Sequence, residues 1–134
     1  MNINIKTWNL LVPKYCIKET YERCNEEDLN NTKRYQLIKK QLINDIKNGL
    51  NIFLLQEVSF VWSDKLKIFF LENNFSTYEH NYGYWGNDYM GVMIAWSNTD
   101  FKALELQKNT VADSLYTKIP ENISYKKYYY YKSA

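Results

Sequence analysis

The sequence predicts an α/β fold in which a mixed sheet carries flanking helices. Three observations predict it. Residues 2–9 alternate, with Ile3 and Ile5 to one side and Asn2, Asn4 and Lys6 to the other, the period of a half-buried strand. Tyr35, Ile38, Leu42, Ile43 and Ile46 recur at helical spacing and form an apolar stripe. Ile52-Phe53-Leu54-Leu55 is an unbroken apolar run of strand length, the pattern of a central strand covered on both faces.

The elements follow in order. After the first strand, residues 12–31 contain a Pro, two Cys and the run Asn25-Glu26-Glu27-Asp28, and read as a polar loop. Asn31 or Thr32 can cap the first helix, which runs to about Lys47. Asn48-Gly49 stops it, glycine being the usual left-handed terminator. The apolar strand ends in Gln56-Glu57. Ser63 or Asp64 is expected to open a second helix with Leu66, Phe69 and Phe70 as its buried stripe, closed by Asn73-Asn74. Residues 75–80 suit a third strand. Residues 81–88 are a loop by composition. Residues 90–96 make another apolar strand, turned at Ser97-Asn98, and Phe101, Ala103, Leu104 and Leu106 suggest one more strand pairing back as a hairpin.

Composition bounds the function. A chain of 134 residues suits one domain with a core. With 46% hydrophobic and 24% charged residues, disorder is not the default, and 4 Gly and 2 Pro exclude collagen-like and linker-like chains. No apolar run reaches the 18 residues of a membrane span, so no membrane is expected. The net charge of +2 is too small to argue for nucleic acid by itself. Lys, Asn, Ile and Tyr are abundant while Ala, Gly, Pro and Arg are scarce, as AT-rich coding would give. Cys16 and Cys24 make neither a disulfide framework nor a complete zinc site. The N-terminus has no apolar core of a secretory signal, so an intracellular location, cytoplasm or nucleus, is expected and the acceptor motifs at Asn30, Asn74 and Asn122 carry no meaning. The domain is expected over residues 1–110. A Tyr/Lys-rich low-complexity tail follows over residues 111–134. Such a tail can stack on single-stranded nucleic acid, but an unstructured tail is the simpler reading.

A strand–helix–strand unit sets its two strands parallel and adjacent. Their C-terminal ends open into one crevice, where ligands bind in α/β sheets. Asn9 ends the first strand and Glu57 the second, so the two should converge. A carboxylate there needs a cation. Lys6, Lys14 and Arg34 are possible partners. Equally, one carboxylate beside an amide suits Mg²⁺, which takes one or two carboxylates and keeps several waters.

Lys6-Thr7-Trp8-Asn9-Leu10-Leu11 and Ile52-Phe53-Leu54-Leu55-Gln56-Glu57-Val58 resemble the first two motifs of the endonuclease/exonuclease/phosphatase superfamily, the deoxyribonuclease I-like fold. Tyr89 to Trp96, followed by Phe101, resembles the third. The resemblance covers residues 2–106. One departure is Asn51, where the family often has Asp. The resemblance implies the N-terminal half of a four-layer α/β/β/α sandwich. It implies a metal-dependent phosphodiesterase or nuclease using Mg²⁺ or Mn²⁺ on a nucleic acid or other phosphodiester. Glu57 would then be a metal ligand, and Asn9 would orient the phosphate or a metal-bound water, so both count as catalytic and metal-site candidates. Tyr84, Asn87 and Asp88 are candidates for a further polar residue. The long polar loop and Arg34 near the start of the helix resemble the poly(A)-shortening branch.

The family's second half supplies a His, a Gly-Asp-Phe-Asn motif and a terminal Asp-His pair, and nothing here matches them. The only histidine is His80. The chain is therefore expected to be inactive alone, and its uncovered sheet to drive self-association or to recruit a second polypeptide. The alternatives are a non-catalytic binding remnant and an unrelated small α/β interaction domain. Arg34 is expected to be structural, tying the loop to the helix.

Overall fold

In a computed structural model, which describes residues 2–82 and 90–107, a four-stranded mixed sheet carries two long helices on one face. The elements are β1 (Ile5–Asn9), a 3-10 turn (Pro13–Tyr15), α1 (Glu26–Leu29), α2 (Asn31–Lys47), β2 (Ile52–Gln56), α3 (Phe60–Glu72), β3 (Phe75–Tyr82) and β4 (Met90–Ser97). The strand order is β1-β2-β4-β3. β1 and β2 are parallel with Asn9 opposite Gln56, as a strand–helix–strand crossover requires. β4 runs antiparallel to both β2 and β3.

α2 begins one residue earlier than its own sequence suggests, because Asn30 is the cap. Its Oδ1 accepts from the N–H groups of Thr32 and Lys33, both at 3.0 Å. Its far end matches expectation, with Gly49 at φ +85°. α3 departs further. It starts at Phe60, not at Ser63 or Asp64, and Ser59 Oγ caps it by accepting from Trp62 N at 3.1 Å. Phe60 and Val61 are half exposed on its outer side, which hid the first turn from a pattern search. Ser63 lies inside the helix, buried, and its hydroxyl donates to Glu79.

Two further expectations are corrected. Residues 12–31 are not all loop, since they hold the 3-10 turn and α1. Residues 101–107 form no strand, and Leu104 is 95% exposed. Asp100 N–H and Phe101 N–H instead close a turn onto Ser97 O.

Burial alternates along β2 and β4, so the sheet has two unlike faces. Phe53, Leu55, Met93 and Ala95 point to the helices and pack with Ile38, Leu42, Leu66, Phe69 and Phe70. The rings of Phe53, Phe69, Phe70 and Phe75 stand 5.3–5.8 Å from their neighbours, so part of the aromatic excess is core. β2 is central, as its apolar run implies, but the described helices cover only one of its faces. On the other, Ile5 aligns with Ile52 and Trp96, and Thr7 with Leu54 and Ile94. Ile5 is 57% exposed, Ile94 43% and Val92 41%. No helix among the described residues is long and apolar enough to cross a membrane.

Candidate functional site

The sheet brings Asn9 and Glu57 together. Asn9 Nδ2 donates to Glu57 Oε1 at 2.7 Å, across 48 positions of sequence. The orientation of the amide is forced. Leu11 N–H can only donate, and it donates to Asn9 Oδ1 at 2.8 Å, so the NH₂ end must face the carboxylate. The second oxygen, Glu57 Oε2, accepts from Val12 N at 3.1 Å.

Two left-handed residues make this geometry. Glu57 has φ 54° and Leu11 φ 55°. Each costs about 1–2 kcal/mol in a side chain that is neither Gly nor Asn. At Glu57 the ladder to β4 slips by one. Gln56 pairs with Val92, yet it is Val58 N that donates to Gly91 O at 2.9 Å. Glu57 is left as an inserted residue in the manner of a β-bulge, a device that re-aims a side chain. At Leu11 the chain turns back over the end of β2 after Leu10 N has bonded Gln56 O at 2.9 Å. Val12 is then held extended, φ −50° and ψ 137°, as the residue before Pro13 must be. Its N–H is thereby aimed at Glu57.

None of the three expected cations is ion-paired with Glu57 among the described residues. Lys6 binds Asp45 Oδ2 at 2.5 Å and lies 4.4 Å from the centroid of the Trp8 ring. Arg34 binds the backbone oxygens of Leu10 at 2.9 Å and Leu11 at 2.6 Å, and Asn31 Oδ1 at 2.9 Å. Lys14 is exposed on the 3-10 turn. Glu57 is thus held by two neutral donors. Arg34 ties the loop to α2, in keeping with a structural part. Asn51 lies at the opposite end of the sheet, where it accepts from Asn4 N at 2.9 Å and donates to Asn2 O at 2.9 Å.

Glu57, with Asn9 beside it, is the residue here that could hold a hard divalent cation. Among the described residues each Glu57 oxygen and Asn9 Oδ1 accepts one hydrogen bond and keeps a further acceptor position. One carboxylate with water-filled remaining positions is an ordinary Mg²⁺ arrangement. Among the described residues no group of three His, Cys, Asp or Glu side chains gathers here. Tyr84, Asn87 and Asp88, and the tail, lie outside the described residues. A groove of about 620 Å³ lined by Trp8, Leu10, Arg34, Ile38 and Gln41 runs beside β1. It does not include Asn9 or Glu57.

The backbone donor on Val12 and the turn at Leu11 are the parts of the site that sequence reasoning missed. Pro13 was the available signal for the first, because it restricts Val12. The second had none, since Leu is a poor marker of a left-handed turn. No protein-family model matches the chain, and no curated protein is detectably similar to it.

Proposed function

We infer that the chain carries one part of a divalent-metal phosphodiesterase site, in which Glu57 is the carboxylate ligand and Asn9 its positioned amide. The observation that supports this reading is the 2.7 Å contact between Asn9 and a Glu57 with no cation paired to it among the described residues, set at the adjacent ends of two parallel strands. Among the described residues that carboxylate is held by two neutral donors and by no cation, on a residue with positive φ. A bound Mg²⁺ or Mn²⁺ would polarise a phosphoryl oxygen. Glu57 would hold that cation. The Asn9 NH₂ would share Glu57 Oε1 and orient a phosphate oxygen by hydrogen bond without competing charge. Nucleic acid is the substrate class toward which the polar loop after Pro13 and Arg34 lean, and the four-layer sandwich is the architecture the motif resemblance implies.

Activity is another matter. In-line displacement needs a base for the attacking water and a group that stabilises the leaving oxygen. Asn9 and Glu57 supply neither, and no histidine follows His80. Members of a catalytic unit act together, so one part alone gives little. The purified chain should therefore bind one Mn²⁺, seen by electron paramagnetic resonance, and should lose it on Glu57→Ala. It should not cleave a generic diester or a short RNA with Mg²⁺. Absence of Mn²⁺ binding by the folded wild-type chain sinks the metal reading. Brisk turnover by a monomer, abolished by Glu57→Ala, would show that this part is sufficient.

A further inference from the structure

We propose that Arg34 is the positioning residue of the Asn9–Glu57 site, acting through the backbone turn at Leu10–Val12. The metal readout of this proposal rests on the function inferred above, but its structural core does not. Arg34 lies in the first turn of α2 and its guanidinium reaches across to the end of β1. Its Nη2 donates to Leu10 O and to Leu11 O, while Nη1 donates to Asn31 Oδ1. Trp62, buried in the first turn of α3, backs the guanidinium at 4.9 Å from its ring centroid. One planar cation therefore joins three elements: the turn after β1, the start of α2 and the start of α3.

What it holds is the strained part of the site. The two carbonyls it grips belong to the peptides on either side of Leu11, the left-handed residue. The N–H of Leu11 fixes the Asn9 amide, and the N–H of the next residue, Val12, bonds Glu57. Rotating the Leu11 peptides would break both bonds together. A left-handed Leu costs about 1–2 kcal/mol and reverts unless its surroundings overdetermine it. Charge-assisted bonds to two successive carbonyls are of the size to do so. The planar fork is essential, because a Lys ammonium cannot meet two carbonyls and a side-chain amide oxygen from one position beside the indole.

The test compares the full wild-type chain with Arg34→Lys and Arg34→Ala. Folding is followed by circular dichroism. The site is read by the Asn9 side-chain NH₂ resonances, the hydrogen exchange of the Val12 amide, and Mn²⁺ affinity. Both variants should stay helical, yet the Asn9 resonances should move to exposed-amide positions and Val12 should exchange faster. Mn²⁺ should bind about tenfold or more weakly, the usual effect of losing an outer partner of a metal site. Guanidinium ion added at millimolar concentration should partly restore the Asn9 signal in Arg34→Ala. If Arg34→Lys matches wild type in the Asn9 and Val12 signals, the proposal is overturned. It is also overturned if both variants unfold, because Arg34 would then support the whole chain and not the turn. If wild type binds no Mn²⁺ but the Asn9 and Val12 signals respond as expected, the metal reading fails while the positioning role stands.

Discussion

At residue scale, neutral donors around Glu57 make a specific expectation for Asn9. Asn9→Asp would set a second carboxylate against Glu57 Oε1 in place of the Nδ2 donor at 2.7 Å. Losing that exposed bond and adding like charge should cost about 1 kcal/mol in urea unfolding. Millimolar Mn²⁺ should recover more of that loss than it adds to wild type, since two carboxylates hold a hard cation better than one. Equal Mn²⁺ effects on both proteins would mean that no cation sits between positions 9 and 57. Asn51 gives a contrasting case. Buried, it donates and accepts at once, to Asn2 O and from Asn4 N. Asn51→Asp removes the donor and leaves two oxygens facing each other, so it should destabilise by about 1–3 kcal/mol with no change in metal binding. A neutral effect in urea unfolding would show that the clasp is dispensable. The pairing of Asn9 with Glu57 was legible because parallel strands align their ends whatever the residues. The strain at Leu11 and Glu57 was not, because nothing in either side chain advertises a positive φ.

At the scale of elements, caps decided where sequence reading succeeded. Gly49 and Asn74 mark the ends of α2 and α3 by chemistry, and the left-handed residues fall there. Ser59 marks the start of α3 equally well. The exposed apolar residues Phe60 and Val61 masked it, since a periodicity search expects the outer side of a helix to be polar. Asn30→Ala should cost about 1 kcal/mol, because two N–H groups of α2 lose their only side-chain acceptor. Thermal melts of that variant check it. The packing of these helices also has an alkaline signature. Burial raises the Tyr35 hydroxyl above its ordinary 10.0, with the Glu72 charge a lesser cause. The hydrogen bond to Glu79 raises Lys67 above 10.5. Both groups release protons more readily when unfolded. Their stabilisation is therefore fully present below pH 10 and is lost as pH climbs through the folded-state values. Unfolding free energy should be flat in these groups at neutral pH and should fall above about pH 10. Tyr35→Phe should flatten that fall, and an unchanged alkaline limb would rule Tyr35 out as its source.

At the scale of the whole molecule, the unequal faces of the sheet dominate. One face is closed by α2 and α3 with Phe and Leu side chains. Across the sheet, rows of Ile5–Ile52–Trp96 and Thr7–Leu54–Ile94 lie under no described helix or strand. The apolar run 52–55 correctly announced a central strand, but a run records only that both faces are apolar and cannot say what covers each. Among the described residues of that face Ile5, Val92 and Ile94 are exposed, and Ile52, Leu54 and Trp96 between them are partly exposed. Contiguous patches beyond a few hundred Å² usually mark contact surfaces or promote association. The purified chain should therefore run as an oligomer, or precipitate, with a mass that rises with concentration. Ile94→Thr combined with Ile5→Thr keeps β-branched shape at two exposed positions on that face. The pair should shift the chain toward monomer in analytical ultracentrifugation while leaving the helix-side core intact. It should leave Mn²⁺ binding unchanged too, because neither residue supplies a hydrogen-bond partner of Asn9 or Glu57. A wild-type chain that stays monomeric at high concentration would mean the face is covered within the chain itself. The double variant should then lose stability instead of gaining solubility, because the same substitutions would open a filled interior rather than dress a bare surface.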